Sequence, residues 1–266
     1  MRRNRRGLGV KSVKTIARSV VAENRERKYK QFSFINYTLS PYNQGDFNLG
    51  ANSVSMVCLS PYDGPAVGPN VNLAIAQGVQ TDERIGSRIE MKKGTIRLYF
   101  NPTFYDPTYN NTPMPMLLQV FIGYDRTTGN GQPSATLPDF FEDNGNAQNP
   151  VGWAIDTFRK VNKERYVIFN RRTYKIGNAE YFGSNQIPAQ QYYTNNDFKY
   201  SIKTSFDYTK HLIKTVKYNK DNAFTNTPTT RQLWMWWMIT PVIGTAVGSS
   251  RQINCTAECT VEYTDA

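Results

Sequence analysis

The stretch FKYSIKTSFDY, residues 198–208, alternates without a break. Phe198, Tyr200, Ile202, Thr204, Phe206 and Tyr208 share one parity, and Lys199, Ser201, Lys203, Ser205 and Asp207 share the other. A period of two sends successive side chains to opposite faces, so this is an antiparallel strand with one face buried and one in water. CTAECTVEY, residues 255–263, repeats the pattern, with Cys255, Ala257, Cys259, Val261 and Tyr263 inward and Thr256, Glu258, Thr260 and Glu262 outward. Seven further candidate strands follow at 31–39, 53–59, 94–101, 116–124, 165–176, 211–218 and 231–240. Against a core of roughly eight strands, one of these is accessory or part of a split strand.

The chain of 266 residues is long enough for one large all-β domain. Its 17 Tyr and 14 Phe are strand formers. The connections at 60–90, 102–115, 125–150, 177–196, 219–230 and 241–253 are long and rich in Pro, Gly, Asn and Thr, a length that compact domains reserve for function. One helix is expected near 150–162, PVGWAIDTFRKVN, with Pro150 at its start and Trp153, Ile155, Phe158 and Val161 in its body. In QLWMWWMIT, 232–240, Leu233, Met235, Trp237 and Ile239 suit a core, which leaves Trp234, Trp236 and Met238 on the other face. A strand apolar on both faces must be covered on both. The cover is a loop or helix of the same chain, or another subunit.

Charge is distributed very unevenly. Residues 1–30 hold Arg2, Arg3, Arg5, Arg6, Lys11, Lys14, Arg18, Arg25, Arg27, Lys28 and Lys30 against only Glu23 and Glu26, a net of +9. The whole chain carries +11, so the remaining residues contribute only +2, and no Lys or Arg occurs between Lys30 and Arg84. A cationic arm on a nearly neutral body calls for a polyanion. All eleven basic residues are therefore candidate nucleic-acid contacts. RRNRR (2–6) also suits a nuclear localisation signal. Arg25, Arg27, Lys28 and Lys30 are either a second such cluster or the neck where arm meets body. Within the arm, Val13, Ile16, Ala17, Val20 and Val21 fall at helical spacing and form one apolar stripe.

Catalysis is not expected. No phosphate-binding glycine loop is present, and His211 is the only histidine, beside Lys210 at an expected strand start, where it reads as a surface residue. The adjacent acids Asp82–Glu83 and Glu142–Asp143 read as solvated loop charges. With one histidine and no CxxC pair, no metal or cofactor site is expected. Cys255 and Cys259, four apart in a strand, lie about 13 Å from each other and cannot bond. With Cys58 they are expected as buried free thiols. No apolar run is long enough for membrane insertion, and no apolar h-region follows the N-terminal charge, so a secretory signal is not expected. The sequons at Asn36, Asn110 and Asn254 then read as chance matches.

The stretch IAQGVQTDERIGSRIEMKKGTIRLYF (75–100) resembles capsid proteins of the circular Rep-encoding single-stranded DNA viruses, the circovirus-like group. It carries their I-x-Q-G segment as Ile75, Gln77 and Gly78, then R-I-G as Arg84, Ile85 and Gly86, then Ile89, Lys92 and Ile96. NKERYVIFNRRTYKI (162–176) is similar to the group's R-[YF]-x-V-x-x-[DN]-[RK]-x-Y pattern through Arg165, Tyr166, Val167, Asn170, Arg171 and Tyr174. Residues 205–219 and 255–266 are similar to its later strands. The arm is less arginine-dense than in circoviruses proper, and 31–74 matches nothing in the group. The resemblance implies a single eight-stranded jelly roll of two packed antiparallel sheets over 31–266, with 1–30 as a basic arm. It also implies a homo-oligomer of sixty copies in a small icosahedral T=1 shell, single-stranded DNA as cargo (or RNA in recombinant particles), a host receptor met by outward loops, and a passage through the host nucleus. The rival reading from the residues is a cellular, non-enzymatic nucleic-acid-binding β-domain protein, which would place basic and aromatic residues together on the body.

Overall fold

The structure, a computed structural model, describes residues 15, 26–39, 56–62, 73–80, 82–103, 115–128, 137–152, 154–177, 201–218, 228–242 and 253–265. Every expected strand is present among them. The core strands are β1 (Arg27–Leu39), β2 (Met56–Cys58), β3 (Arg88–Pro102), β4 (Met116–Asp125), β8 (Tyr166–Ile176), β9 (Ile202–Asp207), β10 (Thr215–Lys217), β11 (Trp234–Pro241) and β12 (Ile253–Asp265). A small accessory sheet is built from β5 (Phe141–Asp143), β6 (Asn146–Gln148) and β7 (Lys160–Val161).

Two sheets make the body. One runs β1-β12-β3, with β9 and β10 both pairing β3; the other runs β2-β11-β4-β8, and every described pairing in both is antiparallel. β9 and β10 are two halves of one strand position, interrupted by a 3-10 turn at Thr209–His211. This accounts for the expected surplus strand and leaves eight positions. The first and last strands are neighbours in one sheet, with β1 at its edge, and most successive core strands cross between the sheets, which is jelly-roll topology.

The inward parity of β12 was legible in the sequence: Cys255, Cys259, Val261 and Tyr263 are fully buried and Ala257 nearly so. They pack with Ile96, Leu98 and Phe100 of β3 and with Leu118, Val120 and Ile122 of β4 in one inter-sheet core. All three cysteines are free and buried, Cys255 and Cys259 in this core and Cys58 in a second one, and burial pushes the Cys58 and Cys259 thiols up to about 12. Gly94 of β3 is required by close approach: a Cβ there would sit 2.3 Å from the Tyr208 ring.

β11 carries two cores. Leu233, Met235, Trp237 and Ile239 enter the inter-sheet core, while Trp234, Trp236 and Met238 enter a second one. That second cluster is closed by Leu137, Phe140, Phe141 and Tyr166 of the same chain. The intra-chain cover therefore prevails over burial against another subunit. Edge-to-face rings supply much of it, with Phe140 at 4.9 Å from Tyr166 and 6.2 Å from Trp236.

The helix expected at 150–162 does not form. Residues Ala154–Thr157 make one 3-10 turn, and the chain then enters β7. Gly152 adopts φ 76°, and the buried Asp156 carboxylate accepts the N–H groups of Val151 and Gly152 at 2.8 Å each. The side chain thus satisfies donors that would otherwise await a longer helix. Ile155 and Phe158, placed in the body of the expected helix, are exposed. Trp153 lies outside the described residues.

Candidate nucleic-acid interface

Of the eleven basic residues proposed for the arm, Arg2, Arg3, Arg5, Arg6, Lys11, Lys14, Arg18 and Arg25 lie outside the described residues. The other three are part of the folded body. Arg27, Lys28 and Lys30 open β1, whose pairing with β12 begins at Arg27↔Thr264. Arg27 is exposed. Lys28 is buried, ion-paired to Asp265 at 3.0 Å and donating to the Glu83 carbonyl at 2.8 Å. Lys30 pairs with Asp82, and that hydrogen bond holds the Asp82 carboxyl below its ordinary value. The boundary expected at residue 30 therefore moves back to about residue 26, and Lys28 and Lys30 are corrected from polyanion contacts to neck residues. Burial of an ammonium is tolerable only against such partners.

The signal for this was parity. Lys28 and Lys30 share the inward parity of Phe32 and Phe34, so the period of two starts before residue 31. The run of positive charge masked it.

The loop that receives the neck is the I-x-Q-G and R-I-G segment. Its ends close on each other: Arg84 N–H donates to the Ala76 carbonyl at 2.9 Å and Gly78 N–H to the Arg84 carbonyl at 3.0 Å. A Cβ on Gly78 would stand 1.9 Å from the Glu83 carboxylate, which instead accepts the Gln80 N–H at 2.9 Å. Arg84 is itself buried, its guanidinium 3.9 Å above the Tyr218 ring, and burial lowers its pKa. Ile85 N–H donates to the Asp265 carboxylate that also holds Lys28. The Asp82 carboxylate, which stays substantially exposed, and the Glu83 backbone carbonyl are thus the acceptors that fix where the chain enters β1.

The second motif is structural too. Arg171 donates to Gln119 Oε1 at 2.7 Å and to the carbonyls of Asp156, Thr157 and Arg159 at 2.8–2.9 Å, and burial lowers its pKa. It ties the 3-10 turn to the sheet. Arg165 pairs with Asp139 at 3.3 Å, and Tyr166 donates to the Pro138 carbonyl at 2.9 Å. His211 sits in the turn between β9 and β10 rather than at a strand start. It is half-buried, stacked on Phe169 at 4.2 Å, with its pKa lowered by burial and by Lys210.

The outer face of the β1-β12-β3-β9 sheet is the other surface a polyanion would meet. Its rows are read from the register. Ser33, Glu258, Arg97 and Ser205 stand abreast, as do Tyr29, Glu262 and Lys93. Arg97 pairs with Glu258 at 3.1 Å, Lys93 with Glu262 at 3.7 Å, and Lys92 with Glu90 at 2.9 Å. Lys203 of β9 shares the outward parity of Ser205 and is exposed on the same face, with no ion pair among the described residues.

No family model matches this chain, and no curated protein matches it. Among solved structures, one from Desmodium yellow mottle tymovirus is similar over 91% of this chain and 88% of that chain, at 12% identity and a TM-score of 0.34. A similarity at that level decides neither fold nor function.

Proposed function

We propose that this chain is a viral capsid protein, a structural protein rather than an enzyme. Its copies self-assemble into a small icosahedral shell, sixty in the T=1 case, and package single-stranded DNA through the N-terminal arm. The observation that carries this reading is the separation of charge from fold. Residues 1–26 hold eight basic side chains against two acidic ones, while the jelly-roll body that begins at β1 holds 24 against 19. Phosphate contact by Arg and Lys is independent of sequence, as a coat requires. The resemblance of 75–100 and 162–176 to circovirus-like capsid proteins supports the same reading. On it, the mature location is the virion, RRNRR (2–6) serves import to the host nucleus, and loops meet an unknown host receptor. The cellular nucleic-acid-binding alternative would bind through cations of the body; Lys92, Lys93 and Arg97 are each beside a carboxylate, and Lys203, on the same face, is a cation it could use.

The neck sharpens the expected strength of binding. Residues 1–26 hold eight basic and two acidic side chains, a net of +6 rather than +9. For single strands the slope of log affinity against log salt is then about −0.7 × 6, or roughly −4, in place of about −6. Replacing Arg2, Arg3, Arg5 and Arg6 by Ala removes about 3 of those units. The test is sizing of purified particles with their 260/280 nm absorbance ratio, then a salt titration on an arbitrary oligonucleotide. Deletion of residues 2–25 spares β1 and the Lys28–Asp265 pair, and should leave a folded body that binds little nucleic acid. A deleted body that packages as well as the full chain overturns the assignment.

A further inference from the structure

The charge of the body is not spread evenly. β8, residues 201–218 and residues 228–242 together hold eight basic side chains and one acidic, Asp207, while the rest of 27–266 holds 16 against 18. β8 ends one sheet of the sandwich, and β9 and β10 end the other. The two edges meet: Arg172 of β8 donates to Thr204 Oγ1 of β9 at 3.2 Å and lies 4.3 Å over the Phe206 ring. Arg171 is engaged by the carbonyls of the 3-10 turn, and Lys175 and Lys203 have the outward parity of their strands. Arg172, Lys210, Lys214, Lys217 and Arg231 are exposed, with no ion pair among the described residues. Asp207 lies near Lys210, but its carboxylate accepts the Thr209 N–H at 3.0 Å. The acids of the adjoining strands are paired elsewhere, Glu90 with Lys92 and Asp125 with Arg165. Lys163 and Glu164, exposed in the turn before β8, offset each other, and Arg126 beyond β4 is a further exposed cation.

The same edge carries a stack of rings that folding does not use. The register of β8 slips at Phe169: Ile122 stands opposite Asn170 and Gly123 opposite Ile168, so Phe169 is the extra residue of a bulge. Its ring is 37% exposed even with the His211 imidazole stacked on it at 4.2 Å and the Tyr124 ring edge-on at 5.7 Å. Arg231 lies 4.4 Å over Tyr124. Neither core includes any of these four side chains.

We propose that this edge binds single-stranded nucleic acid at a site separate from the arm, a base stacking on the Phe169–His211 pair while Arg231, Lys210 and Arg172 hold the flanking phosphates. Exposed rings beside unpaired cations accept an unstacked base of any sequence. A sulfated polysaccharide would use the cations and leave the rings idle. Lys210 adjoins His211 in the chain, and Arg172 is three residues from Phe169, about 10 Å along the strand. Because the site lies on the body, it is available under the capsid reading and under the cellular rival alike. Its three cations add about 0.7 × 3, or roughly 2, to the salt slope that the arm supplies.

The test uses the full chain, stripped of nucleic acid by nuclease and salt, and a short oligothymidylate carrying 5-iododeoxyuridine. Irradiation joins the halogenated base to a ring it stacks on, and mass spectrometry locates the adduct. Adducts should form at Phe169, Tyr124 or His211. Phe169→Ala, at an exposed position, should keep the parent's thermal unfolding and lower the yield of these adducts about tenfold. Arg172→Gln/Lys210→Gln/Arg231→Gln should reduce the salt slope by roughly 2. At saturating oligonucleotide the edge adducts should persist when Arg2, Arg3, Arg5 and Arg6 are replaced by Ala, which separates this site from the arm. Adducts confined to the arm, or to other parts of the body, overturn the proposal. So does an unchanged adduct yield in Phe169→Ala. A slope lowered by the triple variant without an adduct at any of the three rings would mean binding by charge alone, as of a sulfated polysaccharide, and overturns it as well.

Discussion

The two outer faces of the sandwich are handled in opposite ways. On the β2-β11-β4-β8 sheet, Trp234, Trp236 and Met238 are buried beneath residues 137–161 of the same chain. On the β1-β12-β3-β9 sheet, the outward residues of β12 alternate with the core and are polar or charged, and Glu258 and Glu262 meet Arg97 and Lys93 of β3 as cross-strand ion pairs, with Tyr29, Ile35 and Tyr99 exposed among them. One face uses a long loop to build a second core, and among the described residues nothing covers the other. The difference shows which sheet is free to receive an arm, a neighbouring copy or a nucleic acid. It also shows that the tryptophan-rich strand is not by itself a sign of a subunit contact.

The most damaging change should be Ala257→Asp or Val261→Asp. Both positions lie in the inter-sheet core, where an unpaired carboxylate costs several kcal/mol to bury. Neither variant should yield soluble protein. Normal shells from either would mean that the parity of β12 is reversed.

Next comes Trp236→Ala. The indole is fully buried in the second core, so its loss should cost about 3–5 kcal/mol in urea unfolding of the unassembled subunit. This outcome separates the two ways of covering β11. Were a partner subunit the cover, the isolated variant would be as stable as the parent and fail only in assembly.

These cases also show what the sequence could reveal. Strand existence and facing were legible because a period of two survives inspection of single segments, as in β12 and β9. The cover over Trp236 was not, because it joins segments about a hundred residues apart, and no local pattern records such a contact. The helix expected at 150–162 failed for a local reason: the Asp156 side chain takes the Val151 and Gly152 N–H groups. The neck was half-legible. Lys28 and Lys30 keep strand parity, but their partners Asp265 and Asp82 lie far along the chain. The chemistry of the arm rests on composition, since most of its basic residues lie outside the described ones.

The smallest effect is expected from Glu258→Ala, and it tests the open face directly. Glu258 accepts from Gln31 at 2.6 Å and pairs with Arg97 at 3.1 Å, and both partners are substantially exposed. Such a pair is worth about 0–1 kcal/mol, so the urea midpoint should scarcely move. The substitution nevertheless leaves Arg97 without its carboxylate and adds one positive charge to the sheet face of every copy. If phosphate reached that face, the salt slope of DNA binding should steepen by about 0.7. If nucleic acid meets the arm and not this face, as proposed, the slope should match that of the parent. A steeper slope in Glu258→Ala alone would mean that the open face meets nucleic acid beside the arm.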